Sequence, residues 1–197
     1  MSVYMRSDAL RNRERLLDVA VALILEVGGE PTRDAIADRA GLGIGTLYRH
    51  FPDRQSLLHA VVRHVLERTI AAGEAVVAAR AEGMDAIRQY MHAALEHGIG
   101  AVNMIHPLLD DTDWPDLRAR ADALMSELLT RGRSDHRLPD ELEVGDIVFA
   151  TIRFGRPLAI GLAPADDRAI AHRQLDHYLD GLRPNTTATQ RREQPPT

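Results

Sequence analysis

The sequence predicts an all-α protein of about nine helices. Apolar residues make up 45% of the chain and aromatic residues only 4%. The apolar share is mainly alanine, leucine, valine and isoleucine, a balance that favours helices packed on helices. Apolar residues recur three or four positions apart along much of the 197-residue chain, which is the spacing of an amphipathic helix. Glycine and proline interrupt this spacing and divide it into separate helices.

Charge is distributed unevenly along the chain. All 24 basic residues are arginines, and the net charge is −5. Residues 1–70 hold 10 arginines against 9 acids, whereas residues 71–197 hold 14 arginines against 20 acids. The N-terminal third is therefore electrostatically free to approach a polyanion. Its phosphate contacts would use guanidinium groups, which bind oxygens bidentately.

Three absences in the sequence limit the compartment in which the protein is expected. There is no cysteine, which excludes disulfides and thiolate-bound metal and agrees with a reducing compartment. No apolar run approaches the roughly 20 residues that cross a bilayer, and the first eight residues contain no apolar signal core. We therefore expect a soluble cytoplasmic protein with no membrane partner.

The first two helices are predicted from an apolar stripe and its end signals. Residues 16–27 carry apolar side chains on one face, and Gly28 follows as a helix terminator. Thr32 is a suitable N-cap for a short second helix. Gly41 ends that helix because glycine readily adopts the left-handed backbone conformation.

A third short helix and a longer fourth helix follow. The third spans 44–51, since Pro52 cannot continue it. Asp53 caps the fourth helix, whose apolar stripe is strongly amphipathic. We divide this part of the chain into an N-terminal domain, 8–52, and a connecting helix, 53–72.

The remainder of the chain also has helical periodicity. Its expected domain covers 73–183. The tail, 184–197, is rich in threonine, glutamine, arginine and proline, a composition typical of disorder. The helices predicted within the domain 73–183 span 84–102, 115–130, 147–162 and 166–182.

Residues 33–51 fit a helix-turn-helix that reads DNA. Two helices joined by a short glycine turn let the second helix protrude into a major groove. Leu47 and Phe51, four positions apart, are predicted to face inward against Leu23, Ile36 and Leu57. An ordinary helix corner is the alternative, because short patterns of this kind are common. The outward set on the second helix would be Thr46, Tyr48, Arg49 and His50.

Residues 12–66 closely resemble the TetR family of bacterial regulators. The third of the three matching stretches is highly specific for the family. The resemblance implies a DNA-binding N-terminal domain, a ligand cavity within the middle helices, and dimerisation through the last two long helices. The matching stretches are Arg15–Ala20, Ile36–Gly43 and Gly45–Arg54.

The resemblance also implies individual DNA contacts. Thr46 and Tyr48 would touch bases or adjacent phosphates, and His50 a phosphate. Arg54 stands where the family usually has a lysine that binds the backbone. Ile44 departs from the polar or basic residue frequent at its position; it can meet a thymine methyl group but cannot donate to guanine. The full predicted set is Arg33, Ile44, Gly45, Thr46, Tyr48, Arg49, His50 and Arg54.

The ligand cavity is predicted from soft and aromatic side chains on the middle helices, with a few polar groups to orient a ligand. For any one of these residues, ordinary core packing is the alternative. The candidates are Met91, Leu95, Met104, His106, Trp114, Leu117, Met125 and Arg153.

The dimer interface is predicted from the helix at 147–162, which is apolar on more than one face. Such a helix has too much apolar surface for the exterior of a small monomer. With the helix at 166–182 it would form a four-helix bundle across a two-fold axis. A fully buried central helix is the alternative. The candidates are Ile147, Ile152, Leu158, Leu175, Tyr178, Leu179 and Leu182.

The sequence thus predicts a dimeric repressor that binds a near-palindromic operator in double-stranded DNA and is released by an unknown small-molecule effector. The alternative is a helical small-molecule-binding protein or enzyme without DNA binding. No catalytic residues, cofactor or metal site are predicted. Two histidine–carboxylate groups, one around His92 and Glu96 and one around His172 and Asp176, resemble half of a metal site. We interpret them as exposed charge pairs along each helix.

Overall fold

The computed structural model describes residues 2–136, 138–158 and 160–182. Its regular structure is entirely helical across this part of the chain, which confirms the predicted all-α class. Two short 3-10 turns accompany the α-helices. The α-helices of the described residues are, in chain order, α1 Ser2–Val27, α2 Arg33–Ala40, α3 Ile44–His50, α4 Arg54–Ala78, α5 Gly83–Glu96, α6 Ile99–Ile105, α7 Pro115–Gly132, α8 Val144–Phe154 and α9 Pro164–Gly181.

The first three helices pack with the start of α4 around an apolar core. Leu47 and Phe51 are at most 1% exposed and share this core with Leu23, Ile36 and Leu57. The predicted inward face of α3 is therefore confirmed. This burial holds α2 and α3 in place, since isolated helices of seven or eight residues are not stable in water.

Residues at the two ends of α2 determine the turn between α2 and α3. The Oγ1 atom of Thr32 accepts a hydrogen bond from the Ala35 amide at 3.2 Å and caps α2, as predicted. Gly41 has φ +64° and ends the helix in the left-handed conformation. These two residues fix where α2 begins and ends, and so fix the direction in which α3 leaves the turn.

Helix α4 joins the N-terminal core to a second core. Asp53 caps it, with its carboxylate accepting from the Ser56 amide at 2.6 Å and its own amide donating to the Ser56 hydroxyl at 3.2 Å. The helix has 25 residues, so it is about 37 Å long. Leu57 belongs to the first core, whereas Ile70 and Val76 belong to the second. One rigid element thus contacts both halves of the molecule.

The second core lies between α4, α5, α7, α8 and α9. Met91 and Leu128 are at most 1% exposed within it. Ile147, Leu175 and Leu179 are buried in the same core, at 2%, 0% and 1% exposure. These three residues were predicted to form a dimer interface, and that prediction is wrong for them, because α8 and α9 turn them into their own protomer.

A polar seam joins α5 to α9. The Nδ1 atoms of His92 and His172 lie 2.6 Å apart. The Nε2 atom of His92 is 3.0 Å from Asp176, and that of His172 is 2.6 Å from Glu96. The sequence interpretation paired these groups along each helix, but they pair between helices because α5 and α9 are neighbours. Among the described residues, no group of three or more such side chains is arranged to hold a metal ion.

The predicted helix at 84–102 is in fact two helices. Gly98, with φ +79°, separates α5 from α6. The break lets α6 approach α8 very closely: a Cβ atom added to Gly100 would lie 1.9 Å from the carbonyl oxygen of Gly155. The apolar periodicity continues through residues 97–98, so the periodicity alone did not reveal the break between the two helices.

The predicted helix at 147–162 is also wrong in its bounds. Helix α8 ends at Phe154, where Gly155 and, two residues later, Pro157 disfavour its continuation. Leu158 and Ile160 therefore lie in the irregular connection to α9 rather than on a helix face.

No helix of the described part is both long and apolar enough to cross a membrane. The predicted disordered tail, 184–197, lies outside the described residues.

Candidate nucleic-acid interface

Helix α3 presents a polar face on the side opposite its buried residues. Leu47 is completely buried, and its neighbour Tyr48 is 47% exposed. Arg49 is exposed, and Thr46 and His50 are half-buried. Three of these side chains follow one another in the sequence, so a single short helix collects an aromatic ring, a guanidinium and an imidazole on one surface.

The ring of Tyr48 contacts an arginine side chain of α2. The Arg33 guanidinium lies 5.3 Å from the centroid of the Tyr48 ring, within the range of a cation–π contact. The contact limits the rotation of both side chains before any ligand arrives. Arg33 is thereby placed beside α3, although it belongs to the preceding helix.

Arg49 and Thr46 are coupled within α3. The Nε atom of Arg49 donates to the Gly45 carbonyl at 3.2 Å, and a terminal nitrogen donates to the Thr46 hydroxyl at 3.4 Å. These contacts are long and exposed. They leave other guanidinium N–H groups of Arg49 free to donate to an approaching acceptor.

His50 is held in its neutral form by its surroundings. Burial lowers the pKa of His50, and the positive charges of Arg13 and Arg49 lower it further. Arg13, on α1, also lies over the Phe51 ring, 5.4 Å from its centroid. Sequence reasoning missed Arg13, since its position on the first helix gives no sign that it will lie beside α3.

Arg54 lies at the start of α4 with its guanidinium paired to Glu30. The Nε atom donates at 2.9 Å and a terminal nitrogen at 2.7 Å, and the pair raises the pKa of Arg54 above its usual value. Glu30 was also missed, because it lies 24 residues away in sequence. Its carboxylate occupies donors that the resemblance assigns to a phosphate.

A second ion pair braces α2 against α1. Arg39 donates two hydrogen bonds to the carboxylate of Glu26, one of them at 2.7 Å. Hydrogen bonding and charge from Arg39 lower the pKa of Glu26. The pair fixes the helix that precedes the turn, and so supports the orientation of α3.

Ile44 and Gly45 form the exposed start of α3. Ile44 is 37% exposed, and a Cβ atom added to Gly45 would meet nothing within 4 Å. The fold itself therefore does not require glycine at position 45. The eight predicted contact residues belong to α3 and to the first residues of α2 and α4.

A cavity of about 260 Å³ lies in the second half of the molecule, between α4, α5, α6, α7 and α8. Three of the predicted ligand residues, Trp114, Leu117 and Met125, line it. Sequence reasoning missed the other wall residues, most of which come from helices other than α7. These are Leu66, Thr69, Ile70, Tyr90, Ile99, Val102, Thr112, Arg118, Ala121, Val148, Thr151 and Ile152.

The other ligand candidates lie elsewhere. Met91 is buried in the core beside the cavity and does not line it, and Leu95 lines separate surface depressions. Met104 packs against the N-terminal core. His106 and Arg153 are exposed. Helix positions alone did not distinguish cavity walls from filled core.

The remaining dimer candidates have mixed environments. Ile152 lines the cavity, and Tyr178 packs its ring 5.5 Å from that of Phe154. Leu182 packs partly against the second core. Leu158 is 45% exposed and, of the seven predicted residues, it is the most open to solvent.

The N-terminal region matches known proteins. A family model for bacterial regulatory proteins of the tetR family matches residues 16–61. An HTH-type transcriptional regulator of Staphylococcus aureus is 42% identical over 64 residues, which are 32% of this chain and 35% of that protein. The matched segment therefore spans about a third of this curated relative.

Solved structures match over most of the chain. A TetR transcriptional regulator from Streptomyces coelicolor is 25% identical with a TM-score of 0.63, over 88% of this chain and 99% of that one. A TetR transcription regulatory protein from Mycobacterium vanbaalenii is 28% identical with a TM-score of 0.62, over 91% and 99%. The N-terminal helices are thus similar in sequence to the tetR family of bacterial regulatory proteins, and the fold of the chain is similar to that of solved TetR regulators.

Proposed function

We propose that the protein is a DNA-binding transcriptional regulator that inserts α3 into a major groove. The observation that carries this proposal is the polar face of α3, where Thr46, Tyr48, Arg49 and His50 are accessible while Leu47 anchors the helix. Hydroxyl, guanidinium and imidazole groups donate to phosphates and base edges. Arg33 and Arg54 flank this face, and their positive charges would attract the two phosphate backbones that border the major groove.

The regulator acts as a homodimer on a near-palindromic operator. Four large apolar residues after the start of α8 are exposed in the protomer, which is unfavourable unless a partner covers them. A two-fold dimer would place two α3 helices in successive major grooves, roughly 34 Å apart. The exposed residues are Phe149, Leu158, Ile160 and Leu162, with exposures of 69%, 45%, 71% and 36%.

The cavity is the effector site of a repressor. Its wall includes Leu66 and Ile70 of α4, and Arg54 begins the same helix. The separation of 12 to 16 residues is about 18–24 Å along the helix axis. A ligand that binds more tightly to one position of α4 would shift the N-terminal end of α4, which faces the DNA. If that position does not fit the operator, DNA affinity falls by linkage.

A strap, residues 106–116, strengthens this connection. The strap carries Trp114 in the cavity wall and is tied to α4 at three points. Gln55 donates to the Leu108 carbonyl at 3.0 Å, His59 contacts Asp110 at 2.7 Å, and Arg63 donates to Asp116 at 2.5 Å. Movement of the cavity wall would be transmitted to the first three turns of α4.

Footprinting on the DNA that flanks the coding region tests the proposal, followed by an anisotropy titration at two salt concentrations. We expect a protected, near-palindromic site and a steep salt dependence. Tyr48→Ala and Arg54→Ala should weaken binding, whereas Arg173→Ala, an exposed arginine of α9, should not. Full DNA affinity in both Tyr48→Ala and Arg54→Ala would contradict the proposal. The absence of salt-dependent binding would contradict it as well.

Sedimentation tests the dimer separately. We expect a dimer at roughly micromolar concentration and dissociation by Phe149→Glu, which places a charge in the apolar patch. Leu10→Glu is the matched control, because Leu10 is 61% exposed on α1. A monomeric wild-type protein would rule out the dimer.

A further inference from the structure

Thr69, which lines the cavity, carries a buried hydroxyl that the fold leaves unpaired. Thr69 is only 3% exposed, and its Oγ1 atom has no hydrogen-bond partner among the described residues. A threonine within a helix can bond its hydroxyl to the carbonyl three or four residues earlier. A buried hydroxyl without a partner costs about 1–3 kcal/mol. A molecule in the cavity that supplied a partner to this hydroxyl would offset the cost.

Thr151 shows the contrast on the opposite wall. It is equally buried, at 2% exposure, but its hydroxyl donates to the Ile147 carbonyl at 2.6 Å. Thr151 is therefore satisfied by its own helix, whereas Thr69 is not. The two threonines differ in their need for a ligand rather than in their burial.

The rest of the wall determines the charge that a ligand can carry. Tyr90 lines the cavity, and burial raises its pKa to about 12, so its hydroxyl is neutral at physiological pH. Arg118 is the one charged side chain among the described wall residues, and it is exposed with its guanidinium 3.5 Å from Asp113. An ion held in the cavity would be desolvated, and the charge of Arg118 is weakened by solvent and by its pairing with Asp113.

We infer that the cavity takes a compact, uncharged, mainly apolar molecule that carries one hydroxyl or carbonyl oxygen, and that Thr69 binds this oxygen. This inference rests on the proposed function, since it assigns a chemical class to the effector of that same site. The volume of about 260 Å³ lies just below the usual range for small-molecule sites, about 300–1,000 Å³. A molecule of two fused rings is small enough for this volume.

Three probes of one shape test the inference: 2-naphthol, naphthalene and 2-naphthoate. They offer a hydroxyl, no polar group and a charged group on the same ring system. Binding to the full chain is measured by isothermal titration calorimetry. We expect 2-naphthol to bind about two- to tenfold more tightly than naphthalene, which is the net effect of one hydrogen bond, and 2-naphthoate to bind most weakly.

Two isosteric variants separate the role of Thr69 from the shape of the cavity. Thr69→Val should abolish the preference for 2-naphthol, leave naphthalene affinity unchanged and raise the melting temperature, because the unpaired hydroxyl is removed. Thr151→Val is the matched control and should keep the preference. Equal affinities for 2-naphthol and naphthalene would overturn the inference. So would tightest binding of 2-naphthoate, no binding of any probe, or a preference that survives Thr69→Val.

The effect of 2-naphthol on the complex with DNA is measured independently. Tight, Thr69-dependent binding without release of DNA would leave the chemical class standing and contradict the effector role. Release of DNA by all three probes equally would support an effector site and overturn the role of Thr69. The two failures are therefore distinguishable.

Discussion

The guanidinium of Arg54 donates to both oxygens of the Glu30 carboxylate, at 2.7 to 3.0 Å. The pair sits where α4 begins, at the edge of the surface that we propose binds DNA. A phosphate must compete with Glu30 for these donors, and the negative charge of Glu30 also opposes the approach of the DNA backbone.

Glu30→Gln should therefore strengthen DNA binding by up to about fivefold, because an exposed ion pair contributes about 0.2–1 kcal/mol. Glu74→Gln is a close control. Glu74 pairs with Arg120 at 3.0 Å in a similarly exposed setting, but on the α4–α7 side of the second core. Anisotropy titrations measure both variants; weaker binding by Glu30→Gln would show that Glu30 positions Arg54 rather than competing for it.

DNA affinity should rise as the pH falls from about 8 to about 6. In the free protein, burial together with Arg13 and Arg49 lowers the pKa of His50, so His50 is neutral at pH 7. A bound phosphate would raise that pKa, and binding would take up a proton. The increase in DNA affinity begins as the pH falls through the pKa of His50 in the complex. It levels off below the lowered pKa of His50 in the free protein.

His50→Gln should remove this part of the pH dependence. His177→Gln, on the exposed face of α9, should keep it and so controls for the loss of a histidine. If the slope of affinity against pH is the same in wild type and His50→Gln, then His50 does not meet a phosphate.

Gly100→Ala should destabilise the protein by about 1–3 kcal/mol or more. The added Cβ atom would lie 1.9 Å from the carbonyl oxygen of Gly155, a backbone atom that moves only if α6 and α8 separate. Gly145→Ala should have little effect or a small stabilising one, since its Cβ atom would make an ordinary contact at 3.5 Å with the Phe149 ring. Urea unfolding compares the two; equal stabilities would mean that the close crossing of α6 and α8 is absent in solution.

Asp176 should contribute a pH-dependent part of the stability. Hydrogen bonds from His92 and Arg88 lower its pKa below the ordinary value of 3.8. A carboxyl whose pKa is lower in the folded state stabilises that state above the unfolded pKa, and the contribution is lost as pH falls through the folded pKa.

Asp176→Asn should thus be less stable than wild type at neutral pH, by less than about 1 kcal/mol because the site is partly exposed. The difference should disappear below the folded pKa. Unfolding measured from neutral to strongly acidic pH tests this, with the exposed Asp122→Asn as control. A difference that stays constant over the whole range would be inconsistent with the titration of Asp176.

Local signals in the N-terminal helices were sufficient to predict their arrangement. Thr32, Gly41 and Asp53 act within one turn of their own positions, and Leu47 and Phe51 share a face because they are four residues apart. Interactions of this range are determined by spacing along the chain, and spacing is visible in the sequence. The outward direction of Tyr48 follows from the same spacing.

Contacts between distant segments had to come from the folded molecule. Nothing in the sequence pairs Glu30 with Arg54, or His92 with His172. Apolar periodicity also could not say whether Leu175 faces its own core or a partner, because both environments select the same side chains. The structure places it in its own core, at 0% exposure.

The sequence by itself determined the helical class, the caps and turn of the N-terminal domain and the residues on the outer face of α3, since each depends on neighbours within about one helical turn. The tertiary structure decided which donors near that face are already occupied, as Arg54 is by Glu30. It also decided which apolar residues surround the cavity and left the hydroxyl of Thr69 unpaired in its wall. These features depend on how helices far apart in the chain pack together, and side-chain spacing does not encode that packing.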